Sequence, residues 1–294
     1  MNFTPYFFLD RLAEFFSRAD FQAVVSHFPP SNWTQAFHKH FDLRKECSVL
    51  FTLEGQFGIV TIVSNRLRKT RGWFLTQDIR YLRVTNVNTI SGHQESKNAD
   101  KLTPEAVKAY LDKSLYLLQP KGQLSIAPRT ASYVLSSLEN VKVGLSELTI
   151  PFANLRSLKL FKAQVKMGKL KRLSMTVDSD VWPKEALKAV TELLDQDCIN
   201  EMYVTFRRLN LQILEKLVIK WKKEKKFICS VSGDLRARLE DLNSVFGREG
   251  EGKRGMYRYF LQHPADAERC LDIGVSNFTT LGRKFHVRVW STLK

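Results

Sequence analysis

Residues 155–175 read LRSLKLFKAQVKMGKLKRLSM, and their leucines set the expected fold. Leu155, Leu158 and Leu160 give L-x-x-L-x-L, and Leu170, Leu173 and Met175 repeat the same spacing. Successive side chains of an extended chain point to opposite faces. The last two apolar residues of each half-unit, two apart, therefore share one face of a short strand. Working outward, the pattern alternates. Thr103 and Pro104 open a helix whose Val107, Leu111, Leu115 and Leu118 form one face, and Pro120 and Gly122 end it. Leu124 and Ile126 make a short strand, Ala131 to Leu138 a short helix, and Val141 and Val143 a further strand. On the other side, Trp182 and Pro183 open a helix through Leu187, Val190, Leu193 and Leu194. Ile199, Met202 and Val204 return to strand. A helix over Leu211, Leu214, Leu217, Val218 and Trp221 follows, and then Phe227, Cys229 and Val231.

The expected strand centres fall near residues 125, 142, 159, 174, 203 and 229. Short strands each followed by a helix resemble irregular leucine-rich repeats. The period is unequal and there is no ladder of Asn residues, so a plain layered α/β arrangement is the alternative. In both, strands joined by helices run parallel through right-handed crossovers. Upstream, Val49, Phe51 and Leu53 alternate with other residues, and Ile59 to Val63 is β-branched. Gly55 and Gly58 lie between these runs and predict a hairpin. Tyr81 to Val87 is another strand, and Ser91 to Lys101 a loop. Downstream, Met256 to Leu261, Leu271 to Val275 and Phe285 to Trp290 are strands that cap the end of the sheet. Arg248 to Gly255 reads as an exposed hairpin loop.

The start of the chain differs. Pro5 suits the first turn of a helix, where its missing N–H costs nothing. Phe8, Leu9, Leu12, Phe15 and Phe16 then recur at helical spacing. Asp20 caps a second short helix over Phe21 to Val25, which Pro29 and Pro30 break. Ser31 or Asn32 caps a third, from Trp33 through Phe37 to Phe41. The run reads P-x-x-F-L-x-x-L, then S-N-W-x-x-A-F-x-x-H-x-x-x-R to Arg44. A repeat-like body and a β-rich end follow, with an H-P step at His263 and Pro264 and a final aromatic strand. This order of parts resembles the large nematode group of F-box-like and F-box-associated proteins. The opening departs from the usual L-P, since Thr4 precedes Pro5 here. The resemblance implies a substrate-recognition adaptor of a ubiquitin ligase. Pro5, Phe8, Leu9, Leu12 and Trp33 would then contact a Skp1-type adaptor, and the body would hold a target, expected to be acidic.

The rest of the sequence bounds these readings. The chain has 294 residues and a net charge of +16. Residues 1–100, 101–200 and 201–294 carry net +3, +5 and +8. From Leu148 to Val177 there is no acid, while Arg156, Lys159, Lys162, Lys166, Lys169, Lys171 and Arg172 all fall there. Such a field attracts acidic partners of any kind. With the run Lys220, Lys222, Lys223, Lys225 and Lys226, it makes nucleic-acid binding the alternative function. No run approaches the roughly 18 apolar residues of a membrane span. Cys47, Cys198, Cys229 and Cys270 are scattered and read as buried thiols, which fits cytosol or nucleus. Motifs for a nucleophile elbow, a phosphate loop, a zinc protease or a dinucleotide fold are absent. No catalytic residue, cofactor or metal is expected. His38 and His40 lie on different faces of a helix, and Asp178 and Asp180 are expected to cap the helix at Trp182. The sequence thus predicts an α/β protein with a helical unit over 1–48 and a repeat-like recognition body over 49–294, β-rich from about 246.

Overall fold

The computed structural model describes residues 6–13, 16, 23, 27, 32–54, 57–92, 101–128, 132–152, 155–177, 184–247, 251–253, 256–277 and 285–293. The protein is mixed α/β, with a helical start and a strand-rich end. It divides into two compact units, residues 1–145 and 146–294. The 48/49 boundary lies inside the first unit, because the helical start is bonded to the sheet that follows it. The Lys45 backbone N–H donates to the Tyr81 carbonyl at 2.8 Å, and the buried His40 ring packs 4.9 Å from the Tyr81 ring.

In the first unit, helices α1 (Tyr6–Ala13) and α2 (Asn32–Leu43) precede strands β1 (Lys45–Glu54), β2 (Phe57–Ser64) and β3 (Leu67–Lys69). Helix α3 (Arg71–Thr76), strand β4 (Leu82–Ser91), helix α4 (Pro104–Tyr116), strand β5 (Leu118–Ser125) and helix α5 (Ser132–Ser137) follow. The sheet order is β5-β4-β1-β2-β3. The hairpin forms as expected, β1 against β2 antiparallel with Glu54 opposite Phe57. Helix α4 begins where Thr103 accepts from the Ala106 N–H and Pro104 takes the first turn. Its Val107, Leu111 and Leu115 are buried, as their spacing predicts, but Leu118, expected on the same face, opens strand β5, and Pro120 and Gly122, expected to end the helix, lie within that strand.

In the second unit, strands β6 (Glu147–Phe152), β7 (Arg172–Val177), β8 (Glu201–Leu209) and β9 (Ile228–Leu235) alternate with helices α6 (Leu155–Met167), α7 (Lys184–Leu194) and α8 (Leu211–Lys223). Helix α9 (Leu239–Phe246) and strands β10 (Glu251–Lys253), β11 (Met256–His263), β12 (Asp266–Asn277) and β13 (Phe285–Leu293) complete it. The order is β10-β11-β12-β13-β9-β8-β7-β6. Strands β6 to β9 pair in parallel, each with the next in sequence, while β13 joins β9 antiparallel. The expected strands at the C-terminal end are therefore present and continue the sheet. The loop expected over Arg248 to Gly255 contains β10, which pairs with β11.

Two further sequence expectations are corrected. Leu155, Leu158 and Leu160 lie on helix α6, not on a strand. The buried positions are Ser157, Leu158, Leu160, Phe161, Gln164 and Val165, a helical period, and Leu155 is 70% exposed. Gly168, at φ +61°, ends the helix. Val141 and Val143 are not in a strand; the strand comes later, at Glu147–Phe152. With both changes the period evens out. Strands β5 to β9 start at Leu118, Glu147, Arg172, Glu201 and Ile228, steps of 29, 25, 29 and 27 residues.

The register of β6 to β9 sorts side chains into rows. Leu148, Leu173, Met202 and Cys229 pair across the four strands, as do Ile150, Met175, Val204 and Val231. Both rows are buried. They lie under helices α6 to α9, each of which packs on the next. The intervening row, Thr149, Ser174, Tyr203 and Ser230, is not buried, and no described helix covers it. Near the end of β8 the pairing shifts between Phe206 and Arg208. A Cβ on Gly233 would lie 2.7 Å from the Phe206 carbonyl oxygen, so this shift requires glycine.

Candidate recognition surface

The helical start builds its own small core. Ala13 and Phe37 are buried, with Phe16, Trp33 and Phe41 packed around them. The Phe16 ring meets the Phe37 ring edge-on at 5.1 Å, and Trp33 stacks parallel to Phe37 at 6.2 Å. Arg44 is 5% exposed and joins the two helices. Its Nη2 donates to the Ala13 carbonyl at 3.0 Å, and its Nη1 donates to the Phe16 carbonyl. A guanidinium here bonds the carbonyl at the last residue of α1, where a cation suits the helix dipole.

The five expected partner contacts separate. Phe8 is 55% exposed, Leu12 and Trp33 are half-buried, and Leu9 is fully buried. Leu9 therefore belongs to the interior of the unit. Pro5, and the short helix expected over Phe21 to Val25, lie outside the described residues apart from Ala23.

The basic strip also separates. Arg156, Lys159, Lys162 and Lys166 are exposed along helix α6, and Lys169 and Lys171 are exposed in the turn beyond it. Among the described residues, no carboxylate lies within ion-pair distance of Lys159, Lys162, Lys166, Lys169 or Lys171. Arg172 leaves the group. It opens β7, where its Nε lies 3.3 Å from a Glu201 oxygen and its guanidinium sits 5.3 Å over the Tyr203 ring. Tyr203 donates to the same carboxylate at 3.2 Å. Burial, then Glu201, push the Tyr203 phenol above its ordinary range. Lys220, expected in the second basic run, is 4% exposed. Its Nζ donates to the Gln196 carbonyl and the Glu224 carboxylate, each at 2.7 Å. It serves the core, while Lys225 and Lys226 are exposed.

The uncovered side of the strands of the second unit is the surface sequence reasoning missed. Through β13, β12 and β11 it carries His286, Arg288 and Trp290, then Asp272, Gly274 and Ser276, then Met256, Arg258 and Phe260. The opposite side of these strands is covered. Phe246 of α9 packs 4.7 Å from Tyr259, whose hydroxyl donates to Asn243, and Trp221 of α8 meets His263 edge-on at 5.0 Å. On the uncovered side a hollow of about 440 Å³ opens over Gly274, between Met256, Arg258, Arg288 and Trp290. Arg258 is tied to Asp272 by an Nε–Oδ1 bond of 2.9 Å and lies 4.6 Å over Phe260. His286 Nδ1 lies 3.0 Å from Asp234. Among the described residues, Arg288 has no carboxylate partner. A second cleft, of about 310 Å³, lies at the ends of β8 and β9 beside Arg208, Asp234 and Arg236. The alternation of buried Val287 and Val289 with Arg288 and Trp290 was the readable signal for this face.

Among the described residues, no group of three or more His, Cys, Asp or Glu is placed to hold a metal ion. His38 is exposed and His40 buried, and Asp178 and Asp180 lie outside the described residues. No described helix is long and apolar enough to cross a membrane. No protein-family model, curated protein sequence or solved structure matches the chain.

Proposed function

We propose that this chain is a protein-recognition adaptor, in which the body receives a target and the helical start docks a Skp1-type subunit of a ubiquitin ligase. The observation that carries the reading is the uncovered strand face of the second unit. A strand face on which polar side chains alternate with buried ones, with aromatics Tyr203, Trp290 and Phe260 among them, offers a broad surface for a partner. For the docking half, Phe8 supplies support. A Phe more than half exposed on a helix whose Leu9 and Ala13 are buried is an apolar anchor on the outer side of a packed pair.

The test uses the full chain, tagged, and a purified Skp1-type subunit. The chain should retain that subunit, and Phe8→Ser should abolish retention without moving the melting temperature, because the ring is already largely in water. Failure of the parent chain to bind, or unchanged binding by the variant, overturns the docking half.

The second reading, nucleic-acid binding, rests on the unpaired lysines of α6 and the turn after it. Five phosphate contacts would give a salt slope of roughly −4.5, and we expect weak, sequence-independent retention. Tight, sequence-selective binding at physiological salt would favour this reading over ours.

A further inference from the structure

We infer that the hollow over Gly274 is a specificity pocket for an apolar side chain in an extended segment of a partner protein, with a neighbouring Asp or Glu of that segment meeting Arg288. This deepens the reading of the body as a protein-recognition surface and rests on it.

Gly274 is the floor. Its cross-strand partners are Arg258 on one side and Arg288 on the other, so a row of side chains is interrupted between two arginines. The backbone does not demand glycine here. Its φ is not in the left-handed region, and a Cβ would meet only Trp290 ring carbons, at 3.7 Å, ordinary contact. What the missing side chain does is leave depth beside the indole. Met256, 66% exposed, supplies a second apolar wall. A space of about 440 Å³ is of the size that takes a Leu or Phe side chain with part of its backbone.

Charge selects the occupant. Asp272 already holds Arg258, and Asp234 faces His286. Among the described residues, that leaves Arg288 at the rim with no carboxylate partner, and Arg208 and Arg236 likewise at the neighbouring cleft. A phosphodiester chain would bring a phosphate for every nucleotide past Asp272 and Asp234, and one to three cations give it little grip. A protein segment with one or two carboxylates matches the count. Its aliphatic or aromatic residue fills the hollow, and β-spacing places alternate side chains on the same face.

The probe is an array of immobilised nonapeptides, each with a central Asp or Glu flanked by Leu, Phe, Met or Ala, alongside Asn, Gln and Lys counterparts. Fluorescein-labelled dT12 is tested in parallel. The full chain should be retained on acidic–apolar peptides roughly tenfold better than on their amide counterparts. Gly274→Leu should erase the preference for Leu or Phe over Ala. Arg288→Glu, at an exposed position, should erase the preference for the acid while leaving the melting temperature unchanged. Should Gly274→Leu unfold the chain, Gly274→Ala, which the 3.7 Å contact admits, and Arg288→Glu carry the test. Equal retention of acid and amide peptides, or selectivity untouched by both variants, overturns the proposal. So does dT12 binding that outcompetes the peptides and is lost in Arg288→Glu. A positive array with no Skp1-type binding would keep the pocket and reject the docking half above.

Discussion

At the scale of single residues, burial decides behaviour more than residue type does. Leu158 is 5% exposed, and its place on a helix does not change the cost of hollowing it out. Leu158→Ala should lower stability by roughly 2–5 kcal/mol, read as a shift in denaturation midpoint. An unchanged midpoint would mean the site is not packed. The thiols make a related case. Burial pushes both Cys47 and Cys229 up to about 12, and it does the same to the Tyr259 hydroxyl. Because the folded values are raised, the unfolded chain releases these protons first as pH climbs. Their contribution to stability is complete below about pH 9 and is lost between there and about pH 12. Chemical denaturation at pH 8 and pH 10.5 should give a lower midpoint at the higher pH. A flat profile would count against the burial of these groups. Cys198, half-buried, should be the first thiol of the four to react with a disulfide reagent.

At the scale of elements, helix α6 shows how a sequence pattern misleads. L-x-x-L-x-L at Leu155–Leu160 fits both a strand and part of a helix face, and six residues cannot separate the two periods. Extending the window to Phe161, Gln164 and Val165 reveals the helix. The strand before it was hidden because Pro151 removes a ladder donor and argues against strand, yet Pro151 pairs with Thr176 near the end of β6. Elsewhere the signals were unambiguous. Thr103-Pro104 and the long apolar stripes of α4, α7 and α8 gave those helices, and Met202–Val204 and Phe285–Trp290 gave strands. The candidate surfaces were less legible. Arg172 and Lys220 belong by sequence to basic runs, but their neighbours in space are Glu201 and Glu224. Only the register across β11, β12 and β13 brings Gly274 between two arginines. Helix α6 itself carries a prediction. Lys159→Glu with Lys162→Glu and Lys166→Glu should weaken retention on heparin or duplex DNA and flatten the salt dependence by roughly 2.7 in slope. Thermal stability should hold, because all three side chains are exposed. Unchanged retention would remove α6 from any account of the charge.

At the scale of the whole molecule, a net charge of +16 gives every surface a background attraction for anions. That background sets the controls any binding measurement needs. Selectivity for one acidic partner must survive salt that removes the general attraction, since exposed charges are screened beyond about 8 Å at physiological ionic strength. The chain forms two compact units, and in sequence the strand–helix pattern recurs at steps of 25 to 29 residues from β5 to β9. The helical start, by contrast, is held by aromatic contacts and by one buried arginine.

The rows of β6 to β9 have a consequence for how such a chain can diverge. On each strand, core and surface are written in alternate letters. Leu148, Leu173, Met202 and Cys229 face the buried side, while Thr149, Ser174, Tyr203 and Ser230 face the side that no described helix covers. Changes at the uncovered letters cost little stability, since exposed substitutions away from special features are usually close to neutral. Duplicated copies of this scaffold could therefore drift toward new partners without first acquiring stabilising changes, and their vocabulary would vary while the spelling of the core stayed the same.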